Sequence, residues 1–389
     1  ILSDETSSCL VRGVGAQRVP LGGGTPLRYP YPMAEQTGWQ GERLTIGLLG
    51  GGTVGAAVAR GLASRAEEWG IGIAGIAVRD LAKAQAAGLD RIAPLTTDPA
   101  ALAASDDVDV VVELMGGLDP AMPIVEAALK AGRPVVTANK LLLATFGARL
   151  ESLARSTDTA LRFESAVAAG VPVIGVLDGD MSANEITSIR GIINGTTNYI
   201  LTKMESEGWS YDQALAEAQK IGYAEANPKS DVEGEDAAAK LVVLARLASG
   251  AWPALAHVQF DDAPGITGVT AAAIADAATR GARLRMIAEW QNGGDDASKD
   301  SLSVRVTEVP ADSRLGATVG GGNLIVISGD LIGDLTMAGA GAGPGSTASG
   351  VLNDLLAIAR GEGSSWGDLP PAIAAPAPAW IKAAKRGAK

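Results

Sequence analysis

The chain has 389 residues, 47% of them hydrophobic and 20% charged, an ordinary globular composition long enough for two domains. Its formal net charge of −12 argues against a nucleic-acid partner, which would need a basic face. Cys9 is the only cysteine and His257 the only histidine, which excludes an intrachain disulfide, a cysteine-based zinc site and a poly-histidine metal site. The cysteine usage fits a reducing, cytoplasmic compartment, and no apolar run reaches the ~18 residues of a membrane span. His257 has no acidic neighbour at helical spacing and is expected to be structural.

Residues 1–42 carry "VPLGGGTPLRYPYP" and no hydrophobic period, which predicts a poorly ordered extension without a secretory signal. Order is expected from "RLTIGLLGGGTVGAAVARGLA" onward. Leu44–Leu49 is a compact apolar run, the pattern of a strand buried on both faces, and Val54–Ala63 suits a helix. Further apolar runs at Ile71–Val78, at Val108–Leu114 and in "RPVVTANK" predict three more strands, with a helix around Glu126–Ala131. This alternation predicts an α/β, Rossmann-type, doubly wound parallel sheet over residues 43–155.

Beyond it the pattern changes. "ITSIRGIING" predicts a strand; "TTNYILTKMESEG", "SYDQALAEAQKIG" and "DAAAKLVVLARLASG" predict helices, the second with Ser210 as N-cap and Gly222 as its stop. "SLSVRVTEVP" and "NLIVISGD" predict strands. Residues 156–340 are therefore expected to form an α+β domain. Residues 341–362 are expected to return as a helix from about Thr347, followed by an irregular Pro/Ala-rich tail over 363–389.

Gly50, Gly52 and Gly55, with Thr53 and Val54 between the last two, satisfy G-x-G-x-x-G between a predicted strand and a predicted helix. Gly50 allows the tight turn, Gly52 lets the backbone approach a pyrophosphate, and Gly55 lets helix and strand pack closely. The anion would sit on the free N–H groups of the helix N-terminus. At the end of the second strand, Arg79 offers a partner for a 2′-phosphate, which favours NADP, while Asp80 leaves NAD open. Ligands in such sheets lie outside the carboxyl ends of the strands. That places Gly116, Thr137 and Lys140, which follow the third and fourth predicted strands, toward the nicotinamide end.

"NPKSDVEGEDAAAK" crowds Asp231, Glu233, Glu235 and Asp236 ahead of Lys240, with Glu225 just before. Asp236 and Lys240 stand at i and i+4, so on a helix they share a face and pair. Alcohol oxidation by a nicotinamide needs a group that moves the hydroxyl proton, and lysine serves when burial or a second cation such as Lys140 lowers its pKa. The bland alternative is an acidic helix start with one salt-bridged lysine.

The longer run "AQKIGYAEANPKSDVEGEDAAAK" resembles the homoserine dehydrogenase fingerprint, and "GIINGTTNYIL", "VVTANK" and "FESAVAAGVPVI" are similar to further segments of that family. The resemblance covers about residues 43–360. It implies interconversion of L-homoserine and L-aspartate 4-semialdehyde with NADP or NAD, within threonine and methionine biosynthesis, by a homodimer, with residues 156–340 as the substrate-binding, catalytic and dimerisation domain. It also implies Lys240 as proton donor and acceptor with Asp236 as its partner, Lys140 at both substrate and cofactor, Glu225 on the substrate amino group, Asp231 and Thr196 at the substrate, and Gly343 at the cofactor. A structural monovalent-cation (Na+) site is implied at Glu164, Val167, Ala169 and Val171. The chain departs from the family at Ser313-Arg314, where many members carry His-Pro, so no catalytic part for that histidine is expected. The short stretch after the last helix predicts no C-terminal regulatory domain and no threonine feedback through one. Two other readings stay open. One is another amino-acid dehydrogenase, for instance one acting on aspartate. The other is a non-catalytic dinucleotide sensor, against which stand the intact Lys140, Asp236 and Lys240.

Overall fold

A computed structural model describes residues 44–262, 265–294 and 299–374. The N-terminal extension with Cys9 and most of the Pro/Ala-rich tail lie outside these residues.

The first sheet has six parallel strands: β1 Leu44–Leu49, β2 Ile71–Ala77, β3 Leu95–Thr96, β4 Val110–Glu113, β5 Val135–Thr137 and β6 Leu161–Arg162. Their spatial order is 3-2-1-4-5-6, the doubly wound arrangement with its reversal point between β1 and β4. Ile46, Leu48 and Leu49 of β1 and Val110, Val111 and Val112 of β4 are fully buried, because helices cover both faces. The sheet continues to Arg162, beyond the boundary expected at 155, because β6 has only two residues and leaves no period to read.

The remaining strands are β7 Ile186–Ile192, β8 Ala251–Trp252, β9 Val258–Phe260, β10 Ala282–Gln291, β11 Ser301–Pro310, β12 Gly322–Gly329, β13 Gly333–Ala340 and β14 Ile373–Ala374. Six of them make a mixed sheet in the order β13-β12-β7-β10-β11-β9. Strands β8 and β14 pair in parallel, so the start of the tail, expected to be irregular, is tied down at Ala251–Trp252.

Several elements differ from expectation for identifiable reasons. Lys140–Ser156 is a 17-residue helix whose opening leucine run, Leu141–Leu143, hides the helical period. The ten-residue β10 was hidden by Arg283 and Arg285, charges in an otherwise apolar run; Arg285 is buried there and pairs with Glu205 at 3.1 Å. Strand β13 is half glycine and alanine and looks like a loop in sequence. The last helix starts at Pro344 rather than Thr347, since proline fits a first helical turn that needs no N–H donor. Ser210 caps its helix through a reciprocal capping box with Gln213.

Two helices position the site. Glu235–Ser249 is buried along almost its whole length and packs against β7, β10, β11 and the Lys140–Ser156 helix. Pro344–Ala359 returns to the first domain, where Val351 and Leu355 join the core around the Thr53–Ala63 helix. Among the described residues, no helix is long and apolar enough to cross a membrane.

Candidate active site

The glycine turn after β1 is shaped by contact on two sides. Gly50 has φ +112°, and a Cβ there would lie 2.6 Å from the Leu114 carbonyl oxygen, so the turn presses against the end of β4. A Cβ on Gly55 would lie 1.8 Å from the Gly50 carbonyl oxygen, which is the close helix-to-strand approach the motif requires. Gly52 differs, since a Cβ there would meet nothing within 4 Å. The space beside it belongs to a cleft of about 1360 Å³ lined by Gly50, Gly52, Thr53, Arg79, Gly116 and Pro344, among others.

These residues fit a dinucleotide: a bare backbone at a helix N-terminus for the pyrophosphate, and cationic side chains where the second strand ends. A pair of substitutions separates the two glycine roles. Gly52→Ala is expected to fold with an unchanged melting temperature yet weaken dinucleotide binding, whereas Gly55→Ala should lower both. Fluorescence titration with reduced dinucleotide, beside a thermal melt, reads this difference.

At the far end of the cleft the ambiguous Arg79-Asp80 pair separates. Asp80 accepts a hydrogen bond from the Lys83 backbone N–H at 2.9 Å and caps the Leu81–Ala86 helix. Arg79 is exposed on the cleft wall, joined by Arg60 and Lys83, which the sequence reading did not single out.

At the other end, the buried carboxylate of Glu113 organises the loop after β4. It accepts from the backbone N–H groups of Met115 (2.7 Å) and Gly116 (3.2 Å) and from the Thr137 hydroxyl (2.7 Å). Asn139 then caps the Lys140 helix and donates its amide to the Gly117 carbonyl at 2.6 Å. The loop lining the cleft and the start of the Lys140 helix are thereby held together.

Lys140 opens its helix and meets the start of the Glu235–Ser249 helix. The Lys140 ammonium lies 3.0 Å from Asp236 Oδ1, and the Lys240 ammonium lies 2.7 Å from Asp236 Oδ2. Lys240 also donates to the Ile193 carbonyl at 2.7 Å. Asn194, which sequence reasoning missed, bridges two carboxylates: its amide donates to Asp231 Oδ1 (2.7 Å) and Asp236 Oδ2 (2.8 Å). The signal for it was present, an asparagine between a strand and a helix, where its side-chain oxygen caps Thr197. Gly234 has φ +88° and a Cβ there would sit 2.9 Å from Val304 Cγ1, so only glycine lets this helix start against the sheet.

Burial would push the Asp236 carboxyl up, but the Lys240 and Lys140 charges and the Asn194 amide outweigh it and hold it well below the usual range. The attraction of Asp236 raises the Lys140 pKa against the downward pull of burial, with Asp231 and Glu225 adding to it. The carboxylate between the two lysines thus dominates the charge of Lys140, the residue expected to act as a second cation beside Lys240. Burial raises Asp231, opposed by the Asn194 hydrogen bond.

The other predicted residues take various places. Glu225 is exposed, within electrostatic reach of Lys140. Thr196 is buried and donates to the Tyr223 carbonyl at 2.8 Å, fixing the segment that leads into Glu225. Gly343 stands at φ +119° just before the last helix, while its neighbours Pro344 and Gly345 reach the cleft wall. Val54 packs into the core instead of lining the cleft. Glu164 directs its carboxylate to the Ile174 and Gly175 backbone N–H groups, at 3.1 and 2.8 Å. Burial, with the nearby Asp354, pushes its pKa up to about 7. Val167 and Val171 flank a turn in which Ala168 and Ala169 both adopt positive φ.

Two family models match the chain. One, described as homoserine dehydrogenase, covers residues 172–356, and the other, described as homoserine dehydrogenase, NAD binding domain, covers residues 50–164. The chain is 40% identical to the homoserine dehydrogenase of Corynebacterium glutamicum over 332 residues, 82% of this chain and 73% of that one. The Bacillus subtilis homoserine dehydrogenase is 36% identical over 327 residues, 82% of this chain and 73% of that one. Among solved structures, a homoserine dehydrogenase from Thiobacillus denitrificans superposes with a TM-score of 0.78 at 35% identity, covering 84% of this chain and 79% of that one. A hyperthermophilic archaeal homoserine dehydrogenase in complex with NADPH superposes with a TM-score of 0.69 at 29% identity, covering 81% of this chain and 97% of that one.

Proposed function

The chain belongs to the homoserine dehydrogenase family, and from that premise we propose that Lys240 moves the substrate's hydroxyl proton while Asp236 and Lys140 hold it in place. The protein is an NAD(P)-dependent oxidoreductase acting on homoserine. In the oxidising direction the carbinol C–H bond of L-homoserine breaks with both electrons going to the hydride. The O–H proton leaves separately, and the C=O of L-aspartate 4-semialdehyde forms. The nicotinamide of bound NAD(P) supplies the hydride acceptor, or the donor in reverse.

Asp236 and the Ile193 carbonyl engage two of the three donors of the Lys240 ammonium, leaving the third for the substrate oxygen. In reduction that ammonium gives its proton to the carbonyl oxygen as the hydride arrives, and in oxidation the neutral amine takes it back. Glu225 and Asp231 supply negative charge for the substrate's α-ammonium group, with Thr196 holding the Glu225 segment. One carboxylate held between two lysines beside a dinucleotide cleft supports this assignment above all.

NADP is the proposed preferred cofactor, because the Asp80 carboxylate is committed to a helix cap while Arg79 and Lys83 line the cleft. The test runs L-homoserine and L-aspartate with NADP and NAD in parallel. Reduction of the dinucleotide with homoserine and not aspartate is expected. Arg79→Ala should raise KM for NADP roughly tenfold or more, the worth of a charge-assisted hydrogen bond, and leave KM for NAD nearly unchanged. Equal changes for both cofactors would remove Arg79 from the 2′-phosphate site, and aspartate as the better substrate would overturn the homoserine assignment.

A homodimer through the second sheet is supported by the exposed edge strand β13 and by Leu331 and Ile332 beside it, 74% and 51% exposed. Sedimentation as a monomer would count against it. For the proposed monovalent-cation site, the irregular turn supports carbonyl donors at Val167, Ala169 and Val171, while Glu164 already binds backbone N–H groups. A melting temperature that is the same in sodium and in choline chloride would argue against a bound cation.

A further inference from the structure

The helices that carry the proposed catalytic groups meet twice. At their N-terminal ends, Lys140 touches Asp236 at 3.0 Å. Eleven residues after Lys140 stands Glu151, and ten after Asp236 stands Arg246. These two side chains form a bidentate pair, with Arg246 Nε 2.9 Å from Glu151 Oε2 and Arg246 Nη2 2.7 Å from Glu151 Oε1. At 1.5 Å per residue the two arms are about 15 and 16.5 Å long, so the pair lies nearly level on the two helices.

The pair is sealed and its acceptor is saturated. Arg246 is 0% exposed, and the Glu151 carboxylate also accepts from Arg155 Nε (2.9 Å), Trp252 Nε1 (2.7 Å) and the Ala372 N–H (3.2 Å). Between the two contacts Gly147 lies flat on the Trp252 ring; a Cβ there would be 2.5 Å from it. Stability alone does not call for such a pair. A buried ion pair is often no better than apolar side chains of similar volume, and Arg246 Nη1 is buried without an acceptor. What a saturated bidentate pair supplies beyond an apolar contact is a fixed relative orientation.

We propose that Glu151 and Arg246 are positioning residues that clamp the Lys140 helix to the Lys240 helix, and so set the distance between Lys140, Asp236 and Lys240 across the boundary of the two domains. The proposal rests on those three residues forming the reacting site. Neither clamp residue touches the dinucleotide cleft, so loosening the clamp should act on turnover and not on cofactor binding.

Because Arg246→Ala would take the bidentate partner from a buried carboxylate, leave it Arg155 alone and so threaten folding, the test uses Glu151→Gln and the double variant Glu151→Met/Arg246→Met in the full chain. The double variant removes both charges at similar volume and is expected to fold with a lowered melting temperature, because the Trp252 indole N–H and the Ala372 N–H lose their acceptor. Both variants are expected to bind NADPH as the parent does, by fluorescence titration, and to change KM for homoserine less than kcat. Their kcat should fall about 10- to 100-fold, the effect of an ångström-scale misplacement. A folded variant of either kind with parental kcat would overturn the clamp. That outcome is distinct from failure of the site assignment, which would show as parental turnover in Lys240→Ala.

Discussion

Lys240→Ala is expected to lower kcat for homoserine oxidation by about 10²–10⁴-fold, the usual contribution of a positioned acid–base group, with dinucleotide affinity near that of the parent. The fold should survive. Asp236 keeps Lys140 at 3.0 Å and the Asn194 amide at 2.8 Å, so removing Lys240 does not strand it. The cleft that holds the pyrophosphate is built from other residues, chiefly the Gly50–Gly52 turn and the Gly116 loop. Loss of turnover without loss of binding therefore isolates the chemical step. A second arm tests the chemistry directly. A small primary amine added to Lys240→Ala should restore part of the rate in proportion to its free-base concentration in the oxidising direction, while Lys240→Met, which fills the space, should resist rescue. Equal turnover in parent and Lys240→Ala would remove lysine from the proton-transfer role, leaving Asp236 and Lys140 as the groups to examine.

How far this site was legible in the sequence depends on whether each contact is local. The Gly50–Gly55 turn was readable because each glycine answers a steric demand of its own: Gly50 faces the Leu114 carbonyl, Gly55 faces the Gly50 carbonyl, and Gly52 faces open space. Asp236 and Lys240 were readable because i and i+4 on one helix are neighbours whatever the rest of the chain does. The contact of Lys140 with Asp236 crosses from one domain to the other and has no spacing to betray it. Sequence suggested Lys140 as a second cation beside Lys240, and folding adds the Asp236 carboxylate between the two. The Glu151–Arg246 pair was invisible for the same reason, and of Asn194 only the local helix cap was readable, not its bridge to Asp231 and Asp236. The Arg79-Asp80 ambiguity needed only local structure, namely whether a helix starts at Leu81 and takes the Asp80 carboxylate for its cap. At the level of fold, alternating apolar runs gave away the parallel sheet. Strand β13 offers only Leu335 and Met337 among glycines and alanines, too short an alternation to read, because it lies at an exposed edge where burial selects little.

Asp236→Asn should be the more damaging substitution for the protein as a whole, even though it changes a single charge to a neutral amide of the same size. In the parent, one carboxylate separates two ammonium groups, with contacts of 3.0 and 2.7 Å. Neutralising it leaves those cations facing each other across roughly 8 Å or less, a repulsion of about 2 kcal/mol at an effective dielectric constant of about 20. Breaking one side of a wholly buried ion pair costs about 3–5 kcal/mol, and the figure here should lie toward or below the lower end because the Lys140 side chain is 36% exposed. The pH dependence has a definite sign. The folded-state pKa of Asp236 is depressed, so its stabilisation is fully present above the unfolded carboxylate value of about 3.9 and is lost as pH falls below it. Parent and Asp236→Asn should therefore differ most in denaturant melts near neutral pH and converge in acid. Turnover should shift in the other limb. The Lys140 pKa is raised chiefly by Asp236 and lowered by burial, so removing the carboxylate leaves burial opposed only by Asp231 and Glu225, and Lys140 should lose its proton at lower pH than in the parent. The alkaline side of the kcat profile should move toward neutrality, on top of a fall in kcat from losing the group that holds Lys240. A variant with parental kcat and an unmoved alkaline limb would show that Asp236 neither sets the charge of Lys140 nor orients Lys240, and the carboxylate between the lysines would then be a structural tie alone.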